Sequence, residues 1–324
     1  MKRFFLTGVT AVAVLLVSST AAWAQQWPSR AIKMVVPFAA GGSVDVTARI
    51  LAKGLGPRLG QAVIVENRAG AAGIPGTEYV VKSPPDGYTV VLASAGIVSI
   101  GPYLYKNMPF DPIKDLAPVT PVVDGVNVLV VRPDSPATSV QKFTELAKAQ
   151  PGKLNFGSSG VGASDDMATE LFMVMTGTKM LNIPYKGGGP AMVDLIAGHT
   201  DFMFSAVAPA IGQIQAGHLR ALGVTSSERL EALPDVPTIA QAGVAGYDSV
   251  AWYGLFAPRG TPADVVDRIN KETAAVLKDP EVRKQLVDAG LLPHVSTPQA
   301  FAAYIQNDAT KWGDVVRKNG IKVE

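Results

Sequence analysis

The 324-residue chain contains no cysteine. That absence removes disulfide frameworks, thiol nucleophiles, zinc ribbons, iron–sulfur clusters and a lipidated N-terminal cysteine together. Histidine is scarce: the three are His199, His218 and His294, and no two have a metal-ligand spacing. His199 and His218 each follow a glycine at a predicted helix end, where a cation complements the helix dipole. No metal and no cofactor are expected. Charged residues are few, 17% against about a quarter in ordinary soluble domains. The 29 basic and 27 acidic residues leave a net charge of only +2, which points neither to nucleic acid nor to an anionic membrane surface. The glycine–lysine spacing of a phosphate-binding loop is missing. Gly157-Ser158-Ser159-Gly160-Val161 resembles a nucleophile elbow but lacks its closing glycine. There is no internal repeat, low-complexity tract or long linker.

What is present is hydrophobic material, 48% of residues, enough for two cores in a chain whose length suggests two domains. Met1-Lys2-Arg3 is a short basic start. Residues 4–17 are apolar apart from Thr7, Gly8 and Thr10, and Ala22-Trp23-Ala24 has the small-x-small form of a cleavage site. This is the layout of a secretory signal peptide, residues 1–24, cleaved after Ala24; an uncleaved membrane anchor is the alternative. The leader carries two of the 29 basic residues and none of the 27 acidic ones, so its removal leaves a formally neutral chain. The expected location is the periplasm.

The rest alternates strand and helix. Residues 32–36, 63–66 and 88–93 read as strands. Val46, Ile50, Leu51, Leu55 and Leu59 recur at helical spacing after Ser43, and residues 73–82 predict a short helix before Ser83-Pro84-Pro85-Asp86-Gly87. A second series starts near Val126, with strands at 128–131, 154–156, 181–184, 201–204 and 219–224. Helices are expected from Ser139 to Ala149, over 166–176, and from the Gly187-Gly188-Gly189 turn through Ala197. The tail is helical, with starts at Thr261-Pro262, Asp279-Pro280 and Thr297-Pro298 and a stop at Gly290. The alternation predicts an α/β fold of parallel sheets covered on both faces.

Three strand-to-helix turns are rich in small residues: 37–43, 94–96 and 157–164. Such turns leave amide N–H groups unpaired at a helix start, where the dipole favours an anion. Each alone is explained by tight packing. Three of them, split between two series, point to a ligand site beyond the strand ends. Asp45 and the pair Asp165-Asp166 open helices, where an acid is favourable anyway. A carboxylate beside an anion site would still repel the ligand unless it faces a donor, a cation or water. Lys186 is a possible cationic contact, with a solvated loop role as the plainer reading.

Taken in order, the residues resemble the tripartite tricarboxylate transporter substrate-binding proteins, the Bug or TctC-type receptors. The markers are Trp27-Pro28-Ser29-Arg30, Val36-Pro37-Phe38-Ala39-Ala40-Gly41-Gly42 with Asp45, Glu66-Asn67-Arg68-Ala69-Gly70-Ala71 and Pro85-Asp86-Gly87-Tyr88. Asn155-Phe156-Gly157-Ser158-Ser159-Gly160, Ile183-Pro184-Tyr185-Lys186-Gly187, Leu233-Pro234-Asp235-Val236-Pro237-Thr238 and Gly254-Leu255-Phe256-Ala257-Pro258 follow. The resemblance implies a periplasmic binding protein fold, type II-like, with two α/β domains and a ligand cleft between them. Domain 1 is expected at 25–125 plus 251–324 and domain 2 at 126–250. It implies a receptor and not an enzyme. The receptor captures a small organic acid by cleft closure and delivers it to a tripartite tricarboxylate-type membrane permease. Acting on a sensor kinase is the alternative, and an exported hydrolase or a structural envelope module stand further off. The expected partners are a carboxylate ligand and the transporter's membrane subunits, with no nucleic acid, and the receptor is expected to be a monomer.

Matching positions nominate Phe38, Ala40, Gly41, Asp45, Ser94, Ala95, Ser158, Ser159, Gly162, Ala163, Ser164 and Tyr185 for ligand binding. Two departures from the family pattern join them. Asp166 stands where histidine is usual, and Ser205 where an acid is common. Asp166 is expected to face a donor or cationic group on the ligand, or an ordered water.

Overall fold

The computed structural model describes residues 27–321 apart from 39, 42, 71, 72, 106 and 186; the expected leader and Lys186 lie outside the described residues. The first half contains β1 (Ile32–Val36), α1 (Ser43–Leu59), β2 (Val63–Asn67), α2 (Ile74–Val81) and β3 (Thr89–Ser94). A π-helical turn, Gly96–Ile100, and two one-turn helices, Gly101–Leu104 and Pro112–Asp115, lead into the long β4 (Leu116–Val131). Then come α3 (Val140–Ala149), β5 (Asn155–Ser158), α4 (Ser164–Thr176), β6 (Leu181–Pro184), α5 (Gly188–Ala197), β7 (Phe202–Ala206), α6 (Val207–Gln215) and β8 (Arg220–Val224). The chain closes with β9 (Val250–Pro258), α7 (Ala263–Leu277), α8 (Pro280–Asp288), β10 (Leu291–Pro293) and α9 (Pro298–Asn319). No helix among the described residues is long and apolar enough to cross a membrane.

The strand order is β2-β1-β3-β9-β4-β7-β5-β6. β1 runs parallel to β2 and β3, and β5 runs parallel to β6 and β7. The sheets are nevertheless mixed and not purely parallel. β9 is antiparallel to β3 and β4, and β7, β8 and β10 are antiparallel to β4. β4 is shared: residues up to Val126 pair with β9, and residues from Asn127 pair with β7.

The strand expected at 128–131 begins at Leu116. Pro118 and Pro121 disguise it in the sequence, because proline removes a ladder donor. Both sit at irregularities in the β4–β9 register, where the ladder is already broken. α6 was likewise hidden by Pro209 and Gly212 within it. Thr261 does not cap α7; its hydroxyl donates to the Pro258 carbonyl and the helix starts after Pro262. Asp279 and Thr297 cap α8 and α9 as their spacing predicts.

The apolar spacing of α1 becomes a buried stripe, Val44, Ala48, Leu51, Leu55 and Leu59, against Met34 and Val36 of β1. In the second half Phe143, Phe156, Phe172, Phe202 and Phe204 form an aromatic core. α9 packs on both halves. Phe301 and Ile305 join Trp252 and Phe256 in the first, while Trp312, Val315 and Val316 join Phe172 in the second. Full burial of side chains of this size contributes roughly 1.5–3 kcal/mol each, so the C-terminal helix is a substantial tie between the halves.

Candidate functional site

A cavity of about 430 Å³ opens where loops of the two halves meet. From the first half come Phe38, Ser43 and Val44 at the entry to α1, and Ser94, Ala95 and Gly96 at the end of β3. From the second come residues 159–164 and Met167 of α4. Ser249, Val250, Ala251 and Tyr253 supply the floor from the start of β9. The Tyr253 hydroxyl is tied to Ser43, and burial raises its pKa. A larger cavity of about 770 Å³ lies elsewhere, against Asp124, Asp248, Arg283 and His294, and receives none of the three small-residue turns.

Of the nominated residues, Phe38, Ser94, Ala95, Ser159, Gly162, Ala163 and Ser164 line the first cavity. Ala40, Gly41, Asp45, Ser158, Asp166, Tyr185 and Ser205 are not among its lining residues. Most of those seven have internal partners. The Gly41 amide donates to Asp45 at 2.9 Å, and Asp45 also accepts from Arg49 and from Asn67, each at 2.9 Å. Asn67 reaches the Phe38 carbonyl at 3.1 Å. The Arg49 guanidinium, with help from the Gly41 and Asn67 donors, holds the Asp45 carboxyl at about 2 against the cost of burial.

The second loop is braced in the same way. The Gly162 amide donates to Asp166 at 2.8 Å, and Asn182 donates to the other oxygen of Asp166 at 2.7 Å. Asn182 in turn accepts the Ser158 hydroxyl at 2.8 Å. Among the described residues no arginine takes the place of Arg49 on Asp166. Burial, with the nearby Glu170 and Asp165 carboxylates adding to it, pushes Asp166 up to about 7 against the Gly162 amide. Asp165 accepts both the amide and the hydroxyl of Ser159, at 2.6 and 2.7 Å, and burial raises its pKa. Both oxygens of Asp166 therefore point at protein donors.

Tyr185 packs against Gly157 and donates its hydroxyl to Asp194 at 2.7 Å. Ser205 is buried in β7 and donates to the Ala206 carbonyl. Sequence reasoning missed Ile100, Leu104, Tyr105 and Trp312, which complete the wall. Trp312 continues the Phe301–Ile305 spacing of α9, a signal that reads only as core.

No histidine is among the described residues that line the cavity. His199 pairs with Asp194, His218 with Gln213 and His294 with Asp124. The Ser158 and Ser159 hydroxyls, bound to an amide and a carboxylate, have no imidazole to activate them.

Residues 47–321 match the family described as tripartite tricarboxylate transporter family receptor. Protein BugT of Bordetella pertussis is 37% identical over 302 residues, 93% of each chain. A solved structure of an R. palustris protein with adipate is 34% identical and superposes with a TM-score of 0.79 over 92% of this chain and all of that one. MatC of Rhodopseudomonas palustris with bound malate is 31% identical, with a TM-score of 0.74 over 90% of this chain and all of that one. The chain belongs to the tripartite tricarboxylate transporter receptor family, whose members are periplasmic solute-binding proteins and not enzymes.

Proposed function

We propose that the protein captures a small organic acid in the 430 Å³ cleft and hands it to the membrane subunits of a tripartite tricarboxylate-type permease. The single observation that carries the reading is the convergence of loops from opposite halves, 94–96 and the braced 159–164, on one cavity. The Ser94 and Ser164 hydroxyls at the ends of these loops line the cavity and are suited to a carboxylate, because a charged acceptor strengthens each hydrogen bond. α1 and α4 both begin at the cleft, so two helix dipoles add to the attraction. The adipate and malate held by the two R. palustris relatives are acids of this kind.

One lobe comprises residues 25–125 plus 251–324 and the other 126–250. The chain crosses between them at Val126 and Val250, which pair with each other on adjacent antiparallel strands. Bending at this two-strand crossover, accommodated by α9 where it packs on both halves, closes the cleft, and a ligand bridging both lobes favours the closed state. The leader is removed after Ala24 and the receptor works in the periplasm as a monomer.

Mass spectrometry of small molecules released from purified, denatured protein, followed by a thermal-shift panel of organic acids, tests the reading. A stoichiometric shift with one or more carboxylates is expected. Absence of any shift, together with turnover of generic esters, would favour the hydrolase reading instead.

A further inference from the structure

The crossover has a cavity on each side. Val250 lines both the 430 Å³ cleft and the 770 Å³ cavity behind it, and α9 reaches the first with Trp312 and the second with Tyr304. The rear cavity, like the cleft, is walled by both lobes. Val287, Gly290 and Leu292 come from one, and Val207, Ala208 and Leu230 from the other. Cavities on opposite sides of one pivot are coupled: bending that narrows the cleft widens the rear.

The lobes touch at the rear through Gly290 and Leu292. Gly290 lies between α8 and β10 and packs directly on the first turn of α6. A Cβ built there would lie 2.7 Å from Ala208 Cβ and 2.9 Å from the Ala208 amide nitrogen, an approach open only to a residue without a side chain. β10 belongs to the first lobe's sheet, since Leu291, Leu292 and Pro293 pair with Gly125, Asp124 and Val123 of β4. Strand alternation sends the two leucines to opposite faces. Leu291 joins the first lobe's core with Leu286, whereas Leu292 packs on the second lobe's cluster, which holds Val207 and Leu230.

We infer that this rear contact is a latch that resists closure of the cleft, so that Gly290 and Leu292 set ligand affinity without touching the ligand. This rests on the cleft-closure reading given above and holds for whichever acid is bound. Closing the cleft pulls Gly290 off Ala208 and draws Leu292 out of the second lobe's apolar cluster. Hydrocarbon is exposed, and that cost weakens binding, because apparent affinity falls with the fraction of protein in the binding-competent state. Weakening the latch therefore tightens binding, the opposite of what damage to a merely structural contact does.

Distance measurement by electron spin resonance on the ligand-free protein decides it. The chain has no cysteine, so Lys53→Cys in α1 and Val193→Cys in α5, both exposed, take spin labels at those two sites alone. α1 starts at the cleft with Ser43 and Val44, and α5 starts beside it, where a Gly188 Cβ would lie 3.2 Å from Ser159 Oγ; closure draws the labels together. In this labelled background Gly290→Ala pries the rear open and Leu292→Ala thins the contact. Both are expected to shift the distances shorter than in the background alone, with no ligand present. Calorimetry with adipate and malate reads the consequence: an acid that binds the wild type is expected to bind both variants severalfold more tightly. If neither acid binds, the distances decide alone. An unchanged or longer distance in either folded variant, or weaker binding beside a shorter distance, overturns the inference. It leaves the carboxylate reading standing, which the thermal-shift panel tests separately. Gly290→Ala also carries the strain of a left-handed φ of +73°; if it does not fold, Leu292→Ala decides.

Discussion

The Gly162 amide donates to the carboxylate of Asp166, four residues on, at 2.8 Å. Gly41 and Asp45 make the same bond at 2.9 Å in the other half. In both halves an asparagine, Asn182 on β6 or Asn67 at the end of β2, binds the same carboxylate. Each half thus holds its cleft loop with an aspartate from the first helical turn and an asparagine from a neighbouring parallel strand. The two braces differ in charge compensation: Arg49 pairs with Asp45, and no basic side chain among the described residues is paired with Asp166.

Removing the second brace exposes its contribution. Asp166→Ala strands the Gly162 amide and the Asn182 side chain, and an unmade buried hydrogen bond costs about 1–3 kcal/mol. A lower urea midpoint and weaker ligand binding are expected. If affinity and stability are both unchanged, Asp166 does not brace the loop.

The pH response of Asp166 has a definite sign. Its folded pKa of about 7 lies above the ordinary aspartate value of 3.8. Between these values the folded state holds the extra proton, so this group's contribution makes stability fall as pH rises from about 4 to about 7. Asp166→Asn removes the ionisation. The difference in urea midpoint between variant and wild type should therefore move in the variant's favour across that window, and a constant difference would contradict the assignment.

Asp45 behaves oppositely. Its folded pKa, about 2, lies below 3.8, so the stability it contributes is present above pH 4 and is lost as pH falls towards 2. Arg49 is half-exposed, so solvent screening limits the ion pair. Asp45→Asn is expected to cost about 1–2 kcal/mol at pH 7 and distinctly less at pH 2, read from denaturant titrations at both.

At the back of the crossover His294 pairs with Asp124 at 3.0 Å, and that bond raises the histidine pKa above 6.5. The contribution is complete below pH 6.5 and disappears as pH rises through the folded pKa. His294→Gln should lower the urea midpoint more at pH 5.5 than at pH 9. Equal losses at both would show that the pair is electrostatically idle.

Gly162 has a left-handed φ of +79°, and a Cβ there would lie 2.9 Å from Leu104 Cδ1. Gly162→Ala is expected to cost about 1–2 kcal/mol from the backbone conformation and to weaken ligand binding by displacing the loop or Leu104. Unchanged affinity would remove this loop from the site.

Much of this was legible in the sequence where signals are local. The α1 stripe, the caps at Asp279 and Thr297, and the small-residue turns all follow from spacing and side-chain chemistry within a few residues. β4 was not, because its prolines are accommodated by a partner, β9, more than a hundred residues away. The role of Asp166 was half legible. Its helix position is visible in sequence, but its donors, Gly162 and Asn182, are brought together only by the β5–β6 pairing. Trp312 was opaque for the same reason: helical periodicity identifies a buried face without saying which half it reaches.

The account stands on loops from both halves gripping one carboxylate. Nuclear magnetic resonance of ¹⁵N-labelled protein, titrated with the acid that gives the largest thermal shift, measures this at the amides themselves. The account predicts that resonances of Ser94–Gly96 and of Ser159–Ser164 move together and saturate at one equivalent. Shifts confined to one half, or clustered instead around Asp124 and His294, would contradict it.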